Sequence, residues 1–405
     1  MMTTALLLAL QGASMAGGYE VSLHGHKQIG MGLIGTSLNL DASASFYNPG
    51  ALAMMEERIS IQAGMSGIFG HTTFQMEHPS VYQAATDNPI GTPFYFYAAA
   101  RITDRLAAGL AVNTPYGNSL AWEDGWAGRF LIQDISLRAI TVQPTVSYQL
   151  TEYLSVGAGL VYAFGAVDMN RALPLEDDRH EGSVNIKGDT GNFGFNAGVL
   201  YAGSGGLNIG LSYRSRIDME VDDARATFSV PLSLESLFPP QNRAAVTLPL
   251  PANLDFGLSY QFTPELMLGM ALHYVFWDVY ESLDFDFDIN TPALSDSNSP
   301  REYSNSLIVR LGGQYKINES LYVRAGGYFD PSPVNDEYFS PETPSLDNLA
   351  FTTGFSFLPS EMISIDFSLL YIMGLEQEVS FTPENFGGSY ASRVFIPGLG
   401  LSISL

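Results

Sequence analysis

The sequence predicts an all-β fold, a transmembrane antiparallel β-barrel of 14 strands with an N-terminal hatch plugging the lumen. The first observation is a strict alternation of apolar residues with polar or very small ones. In residues 254–262, Leu, Phe and Tyr alternate with Asp, Gly, Ser and Gln. Because successive side chains of a strand point to opposite faces, each such segment has one apolar and one polar face.

The second observation is an asymmetry between successive connections. Every other connection is a tight turn, whereas the intervening ones are longer, irregular and acidic, as in residues 286–303 and 331–347. The tight turns are 103–105, 151–153, 203–205, 263–265, 318–320 and 359–361. Short turns at one rim and long loops at the other are typical of an outer-membrane barrel. The sequence also contains no run of 18 apolar residues, which excludes a transmembrane helix.

Fourteen strand candidates can be placed in order along the chain. They begin near Arg58, Pro93, Leu106, Phe130, Leu154, Ser183, Leu207, Ala244, Leu266, Ser306, Leu321, Asn348, Ile363 and Ser389. An even number puts both ends of the barrel on the periplasmic side, and it requires six turns, as observed. Tyrosine and phenylalanine are frequent near the strand ends, as expected for aromatic belts at the two membrane interfaces.

The N-terminal region divides into two parts ahead of the barrel at residues 58–405. Residues 1–16 contain a short apolar core and a Ser14-Met15-Ala16 cleavage site, which predicts a signal peptide; a short buried helix is the alternative. Residues 17–57 are rich in Gly and lack the strand pattern. A barrel of this size has an interior that needs filling, so we expect these residues to form a hatch inside it.

Composition and motifs argue against several other functions. A net charge of −24 argues against nucleic-acid binding, and the acidic residues in the outer loops either keep them soluble or bind divalent cations loosely. Gly30 to Gly35 match a dinucleotide-binding spacing but follow no buried strand. His24 and His26 lack further ligands at a suitable spacing, and His273 has no Gly-x-Ser-x-Gly nucleophile. We therefore expect no cofactor, no metal site and no catalytic residue.

Charged residues are also expected on the inner face of the barrel. Their positions in the alternation predict that they pair with each other or with the hatch, and they are Arg214, Arg216, Asp255, Arg310, Arg324 and Asp366.

Several segments resemble the outer-membrane long-chain fatty-acid transporter family, the FadL-like proteins, which include aromatic-hydrocarbon channels. They occur in order along nearly the whole chain: 41–52, 115–117, 122–130, 250–254, 276–278 and 322–334. The resemblance implies a 14-stranded barrel blocked by an N-terminal hatch. It also implies uptake of hydrophobic molecules, with binding in the lumen, rearrangement of the hatch and lateral exit through a kinked third strand.

The resemblance implies two structural sites in this sequence. The kink corresponds to Pro115-Tyr116-Gly117, and a proline there fits because proline cannot donate to the strand ladder. The alternative is that Pro115 starts the outer loop. The centre of the hatch corresponds to Asn48-Pro49-Gly50, where the family has alanine in place of the glycine.

The resemblance also implies two substrate-binding residues. Tyr19 matches an aromatic residue near the mature N-terminus, and Arg171 matches a cation that holds the substrate carboxylate. The alternative for Arg171 is a rim arginine paired with Glu176 or Asp177. We expect a monomer in the outer membrane of a Gram-negative cell, in contact with its lipid and carrying fatty acids, alkanes or aromatic hydrocarbons. A general porin or an outer-membrane lipase is the alternative from a different class.

Overall fold

The protein is a closed antiparallel barrel in a computed structural model that describes residues 18–175 and 182–405. The predicted signal peptide lies outside the described residues. The first strand pairs with the last, for example Ile61 with Ile403, so the sheet has no open edge there. No helix within the described ranges is long and apolar enough to cross a bilayer.

Within the described residues, twenty strands form the sheet and its extensions. They are β1 (Ile59–Ser66), β2 (Phe69–Met76), β3 (Gln83–Ala85), β4 (Phe94–Arg101), β5 (Leu106–Ala121), β6 (Asp134–Gln149), β7 (Leu154–Leu173), β8 (Gly182–Ala202), β9 (Leu207–Arg214), β10 (Ile217–Ser229), β11 (Gln241–Leu250), β12 (Asn253–Gln261), β13 (Leu266–Val275), β14 (Ser282–Phe287), β15 (Ser297–Pro300), β16 (Ser306–Asn318), β17 (Leu321–Asp330), β18 (Asn348–Ser360), β19 (Ile363–Phe381) and β20 (Phe386–Ser404).

These twenty strands correspond to fourteen passes across the barrel wall. Four passes are interrupted, so that β1 and β2, β9 and β10, β11 and β12, and β13 and β14 each make one pass. The short strands β3 and β15 only extend neighbouring strands in the loops. The predicted barrel of fourteen strands is therefore confirmed, and each of the six tight turns connects two strands.

Alternation along strands such as β9 gives the wall an apolar outer face and a polar inner face. On β9, Leu211 and Tyr213 are exposed, whereas Ser212 and Arg214 are buried. The break after β9 shifts this alternation by one residue, so Ile217 is buried and Arg216 is exposed. The prediction that Arg216 faces the lumen is wrong for that reason, because Arg216 pairs on the outer surface with Asp218 at 2.6 Å.

The N-terminal segment, residues 18–57, packs against the inner face of the barrel. It contains helix α1 (His26–Gly30), helix α2 (Ala44–Tyr47) and a 3-10 helix, Pro49–Met54. Its backbone approaches the wall where strands carry glycine, since a Cβ on Gly210 would overlap the Thr36 carbonyl oxygen and one on Gly312 would overlap the Met31 carbonyl oxygen. Glycine on the wall is therefore what lets a folded segment fit within it.

Candidate functional site

An apolar cavity lies between the N-terminal segment and the upper part of the wall. Its volume is about 80 Å³, well below the 300–1,000 Å³ of a typical ligand pocket. The lining is almost entirely aromatic and aliphatic and includes Tyr19, Tyr116, Leu137, Met169, Ile186, Met219, Leu248, Leu283 and Phe285. A hydrophobic molecule fits this lining chemically, but side chains must move to admit a long one.

Tyr19 forms one wall of this cavity and is held by other aromatic rings. It packs edge-on against Trp277, with ring centroids 5.0 Å apart, and against Tyr280, at 5.9 Å. Its hydroxyl donates a hydrogen bond to the Pro249 carbonyl oxygen. Gly18 fits beside the Trp277 ring with φ of 71°, where a Cβ would lie 2.7 Å from the indole. The structure thus places Tyr19 at the cavity, and its role in binding stays a prediction.

Strand β5 has a bulge at Pro115-Tyr116-Gly117, where its register against β6 shifts between Asn113 and Tyr116. On its other edge, β5 pairs with β4 only up to Asn113, which lies opposite Tyr95. Beyond that point, residues 19–21, which we call the strap, occupy the edge of β5. The Gly117 N–H donates to the Tyr19 carbonyl oxygen at 2.9 Å, and the Val21 N–H donates to the Pro115 carbonyl oxygen at 2.8 Å.

The Asn48-Pro49-Gly50 turn is seated on strands β6 to β8. The Asn48 side-chain oxygen accepts from the Gly50 N–H at 3.0 Å, and its amide donates to the Val199 carbonyl oxygen at 3.0 Å. The Gly50 carbonyl oxygen accepts from Ser155 at 2.6 Å. A Cβ on Gly50 would lie 2.9 Å from the Gly198 carbonyl oxygen, which explains why glycine suits this position.

The N-terminal segment also carries a buried ion pair, Lys27 Nζ to Asp41 Oδ2 at 3.1 Å. Burial opposes the charge on Asp41, but Lys27 and the hydroxyl and N–H of Ser43 outweigh it and lower the pKa of the carboxyl. Burial likewise disfavours the charge on Lys27, yet Asp41 and Asp366 raise its pKa above the usual value. Both groups therefore stay charged at neutral pH, and they hold α1 to the turn before α2.

Arg171 lies near the loop end of β7 and does not line the apolar cavity. Among the described residues its Nε has no hydrogen-bond partner, and its electrostatic neighbours there are Glu342 and Glu384. Glu342 does line the cavity, so Arg171 interacts electrostatically with one residue of its lining. Glu176 and Asp177, the alternative partners, lie outside the described residues.

The sequence did not predict that part of a long outer loop closes the cavity. Residues 339–346 are all buried, and Glu342 and Thr343 line the cavity. Glu342 forms an ion pair with Arg301, and its carbonyl oxygen accepts from Asn118 at 2.7 Å. The acidic composition of residues 331–347 suggested a solvated loop; apolar residues within it, such as Phe339 and Leu346, both buried, were the signal against it.

Comparisons with known proteins agree with this fold. A model of the family described as outer membrane protein transport protein (OMPP1/FadL/TodX) matches residues 7–399. The chain belongs to this family. It is 25% identical to outer membrane protein P1 of Haemophilus influenzae, over 92% of this chain and 89% of that protein. It is 21% identical to a long-chain fatty acid transport protein of Escherichia coli K12, over 91% of this chain and 90% of that protein.

Solved structures of the family share the fold. A Pseudomonas aeruginosa FadL homologue superposes with a TM-score of 0.83 at 19% identity, covering 96% of this chain and all of that chain. The Ralstonia pickettii toluene transporter TbuX superposes with a TM-score of 0.71 at 17% identity, covering 94% of this chain and 98% of that chain. This member of the family is an outer-membrane transport protein for hydrophobic substrates.

Proposed function

We propose that this protein takes up long-chain fatty acids, which bind in the apolar cavity and leave sideways through the wall at Pro115-Tyr116-Gly117. The hatch, residues 17–57, would rearrange to open that exit. One observation carries the proposal: the strap contacts both the cavity and the bulge. The Tyr19 side chain lines the cavity, and the Tyr19 carbonyl oxygen accepts a 2.9 Å hydrogen bond from the Gly117 N–H in the bulge. Displacing the strap would therefore join the cavity to the exit.

A lateral exit suits such cargo energetically. Release into an aqueous periplasm would expose the acyl chain at a cost of about 0.8 kcal/mol per methylene. Passage through the wall into the bilayer avoids that exposure. At this bulge the edge of β5 is covered only by the three residues of the strap and not by a strand of the wall, which supports the choice of this site.

The exit can be tested by restoring regular pairing at the bulge. In a Pro115→Val, Gly117→Val variant, β-branched residues and a regained N–H should favour continuous pairing. We expect uptake of labelled palmitate by intact cells to be lost, while heat-resistant folding on gels persists. The matched control is Pro144→Val, because Pro144 lies within β6 at a place where the register against β7 is the same before and after it. Unchanged uptake in the double variant would rule out this exit.

A neutral hydrocarbon is a second candidate cargo, favoured by the cavity lining. Glu342, the carboxylate in the lining, is already paired with Arg301. Apart from Arg138, which has other interactions, no cation of the described chain lines the cavity. Cargo without a headgroup would need no cation at all.

Arg171 separates the two candidates. A charge-assisted hydrogen bond to a buried carboxylate contributes roughly 1.5 to 3 kcal/mol, or about ten- to a hundred-fold in affinity. Arg171→Ala should therefore weaken palmitate binding by up to that factor and leave hexadecane binding nearly unchanged, as measured by titration of the purified protein. If the variant binds both ligands as well as the parent, Arg171 is a rim residue with no role in binding.

A further inference from the structure

A second, polar cavity lies on the other side of the strap. Its volume is about 30 Å³, and Glu20, His24, Tyr47, Arg214, His273 and Arg310 are among the residues that line it. Adjacent strap residues therefore serve different cavities, since Tyr19 lines the apolar one and Glu20 lines the polar one. A space of this size accommodates about two water-sized atoms, roughly the two oxygens of a carboxylate.

The Glu20 carboxylate is bound in this polar cavity as a ligand would be. His273 Nε2 lies 3.2 Å from one carboxylate oxygen of Glu20 and 3.3 Å from the other. The opposite ring nitrogen of His273, Nδ1, lies 2.7 Å from Asp255. Asp255 thereby fixes the orientation of the ring and directs Nε2 at the Glu20 carboxylate.

Glu20 holds the position that His273 offers to a carboxylate from the N-terminal segment. The lining carries Arg214, Arg310 and His273 as its basic residues, and Glu20 and Asp255 as its carboxylates. Asp255, a residue of the wall, occupies Nδ1 of His273, whereas Glu20, a residue of the strap, occupies Nε2. An incoming carboxylate can therefore replace Glu20 on Nε2 without changing the net charge of the cavity.

Unpartnered polar atoms show that Glu20 does not satisfy this cavity fully. Tyr47, His24 and Arg310 are 8%, 3% and 5% exposed. The Tyr47 hydroxyl, the His24 Nε2 and the Arg310 Nε have no hydrogen-bond partner among the described residues. Buried polar atoms usually find partners, so a freely positioned ligand could make contacts here that the tethered Glu20 side chain does not.

We propose that this cavity is an inner binding site for the carboxylate of the cargo, and that Glu20 occupies it as an internal substitute. An incoming carboxylate takes the place of Glu20 on His273, and the strap, no longer tied across the lumen, leaves the bulge at Pro115–Gly117. The inference rests on the proposed function, since only a cargo with a carboxylate can exchange in this way. It assigns Arg171 to first contact and His273 to the final site.

The test compares palmitate with hexadecanol, which has the same chain length and no carboxylate, on the full-length protein in nonionic detergent. Glu20→Gln should raise palmitate affinity about ten-fold and change hexadecanol affinity little. His273→Gln should lower palmitate affinity about ten-fold, again with little change for hexadecanol. The matched control is Ser22→Ala, which removes the 3.4 Å contact of the segment with Arg310 and leaves Glu20 in place; it should not change the ratio of the two affinities.

Hydrogen exchange gives a second readout that does not need a variant. Palmitate, but not hexadecanol, should increase exchange of the Gly117 and Val21 amides, which bond the strap to the bulge. The inference would be overturned if Glu20→Gln raised the affinities for palmitate and hexadecanol equally, or if it did not raise the palmitate affinity. Glu20 would then only attach the strap to the wall. A parent protein that binds hexadecane and not palmitate would instead overturn the fatty-acid function itself.

Discussion

His26 lies where the first and last strands of the barrel meet. Its Nδ1 is 2.8 Å from the Ser368 hydroxyl oxygen, and its ring covers Gly398 and Gly400 of β20, where any Cβ would collide with it. Burial lowers the pKa of His26 to about 4, although Asp366 acts in the opposite direction. The docked segment therefore requires a neutral His26 ring.

Acid should weaken the docking of the N-terminal segment. When the segment is undocked, His26 has its ordinary pKa of 6.5. Below pH 6.5 the undocked state therefore binds a proton more readily than the docked state does. The neutral His26 stabilises the docked state fully above pH 6.5, and this stabilisation is lost as the pH falls towards 4. The total loss of docking free energy is about 3 kcal/mol. His24, whose pKa burial also lowers, contributes with the same sign.

The measurement is hydrogen-exchange protection of residues 18–57 at pH 7 and pH 4.5. We expect protection factors to fall at the lower pH in the parent and to fall less in His26→Gln. His78→Gln, at an exposed position, is the control and should behave as the parent does. Protection that is equal at both pH values would contradict this prediction.

Single residues were predictable where a local pattern or motif marks them. Tyr19 and Pro115 follow from the resemblance, and the structure brings their backbones together through the strap. Trp277, which packs against Tyr19, and Glu342, which lines the same cavity, were not predicted. Both come from distant loops, and no periodic pattern in the sequence marks them.

At the scale of elements, strand starts could be predicted within four residues because the period of two is imposed by burial on one face. The interruptions within strands could not be predicted from the sequence. The breaks after β1, β9, β11 and β13 depend on how each pass meets its neighbours and the N-terminal segment, and alternation continues on both sides of them. Arg216 was placed on the wrong face for this reason.

The seating of the Asn48-Pro49-Gly50 turn depends on glycine in β7. A Cβ on Gly157 would overlap the carbonyl of Pro49, so Gly157→Ala should push the turn off the wall. Overpacking of this kind costs about 1 to 3 kcal/mol. We expect faster cleavage within residues 18–57 by added protease, with the barrel still folded.

Gly205→Ala is the control for that variant, because no atom of the described residues lies within 4 Å of its added Cβ. It should leave the cleavage rate as in the parent. If Gly157→Ala is cleaved no faster than Gly205→Ala, the turn does not rely on close contact with β7.

At the scale of the molecule, the N-terminal segment and the barrel share a polar interior. Arg214 donates to Gln143 at 3.0 Å and to the Phe46 carbonyl oxygen at 3.2 Å, and Gln143 also donates to the Ser45 carbonyl oxygen. The inner wall pairs with itself as well as with the segment. The count of strands and the presence of a filled lumen could be predicted, whereas this network of contacts could not.

Deletion of residues 17–57 should leave a folded but leaky pore. The wall keeps its own strand pairs, including β1 with β20 and β19 with β20. The folded barrel should therefore still resist unfolding by heat. The exposed inner face is polar and will hydrate. Single-channel recordings should show higher ion conductance than the intact protein gives, and the absence of any gain would contradict a plugging role.

The length of β7 has a consequence for where cargo is first met. Its outward apolar positions run from Leu154 to Phe164, and the strand continues to Leu173. Nine more residues on a tilted strand raise the rim roughly 20 Å above the apolar belt. The apolar cavity, lined by Met169, lies within this raised part of the wall. On the proposed lateral route, an amphiphile would therefore leave the water well above the membrane surface and would reach the bilayer through the wall without touching the headgroups.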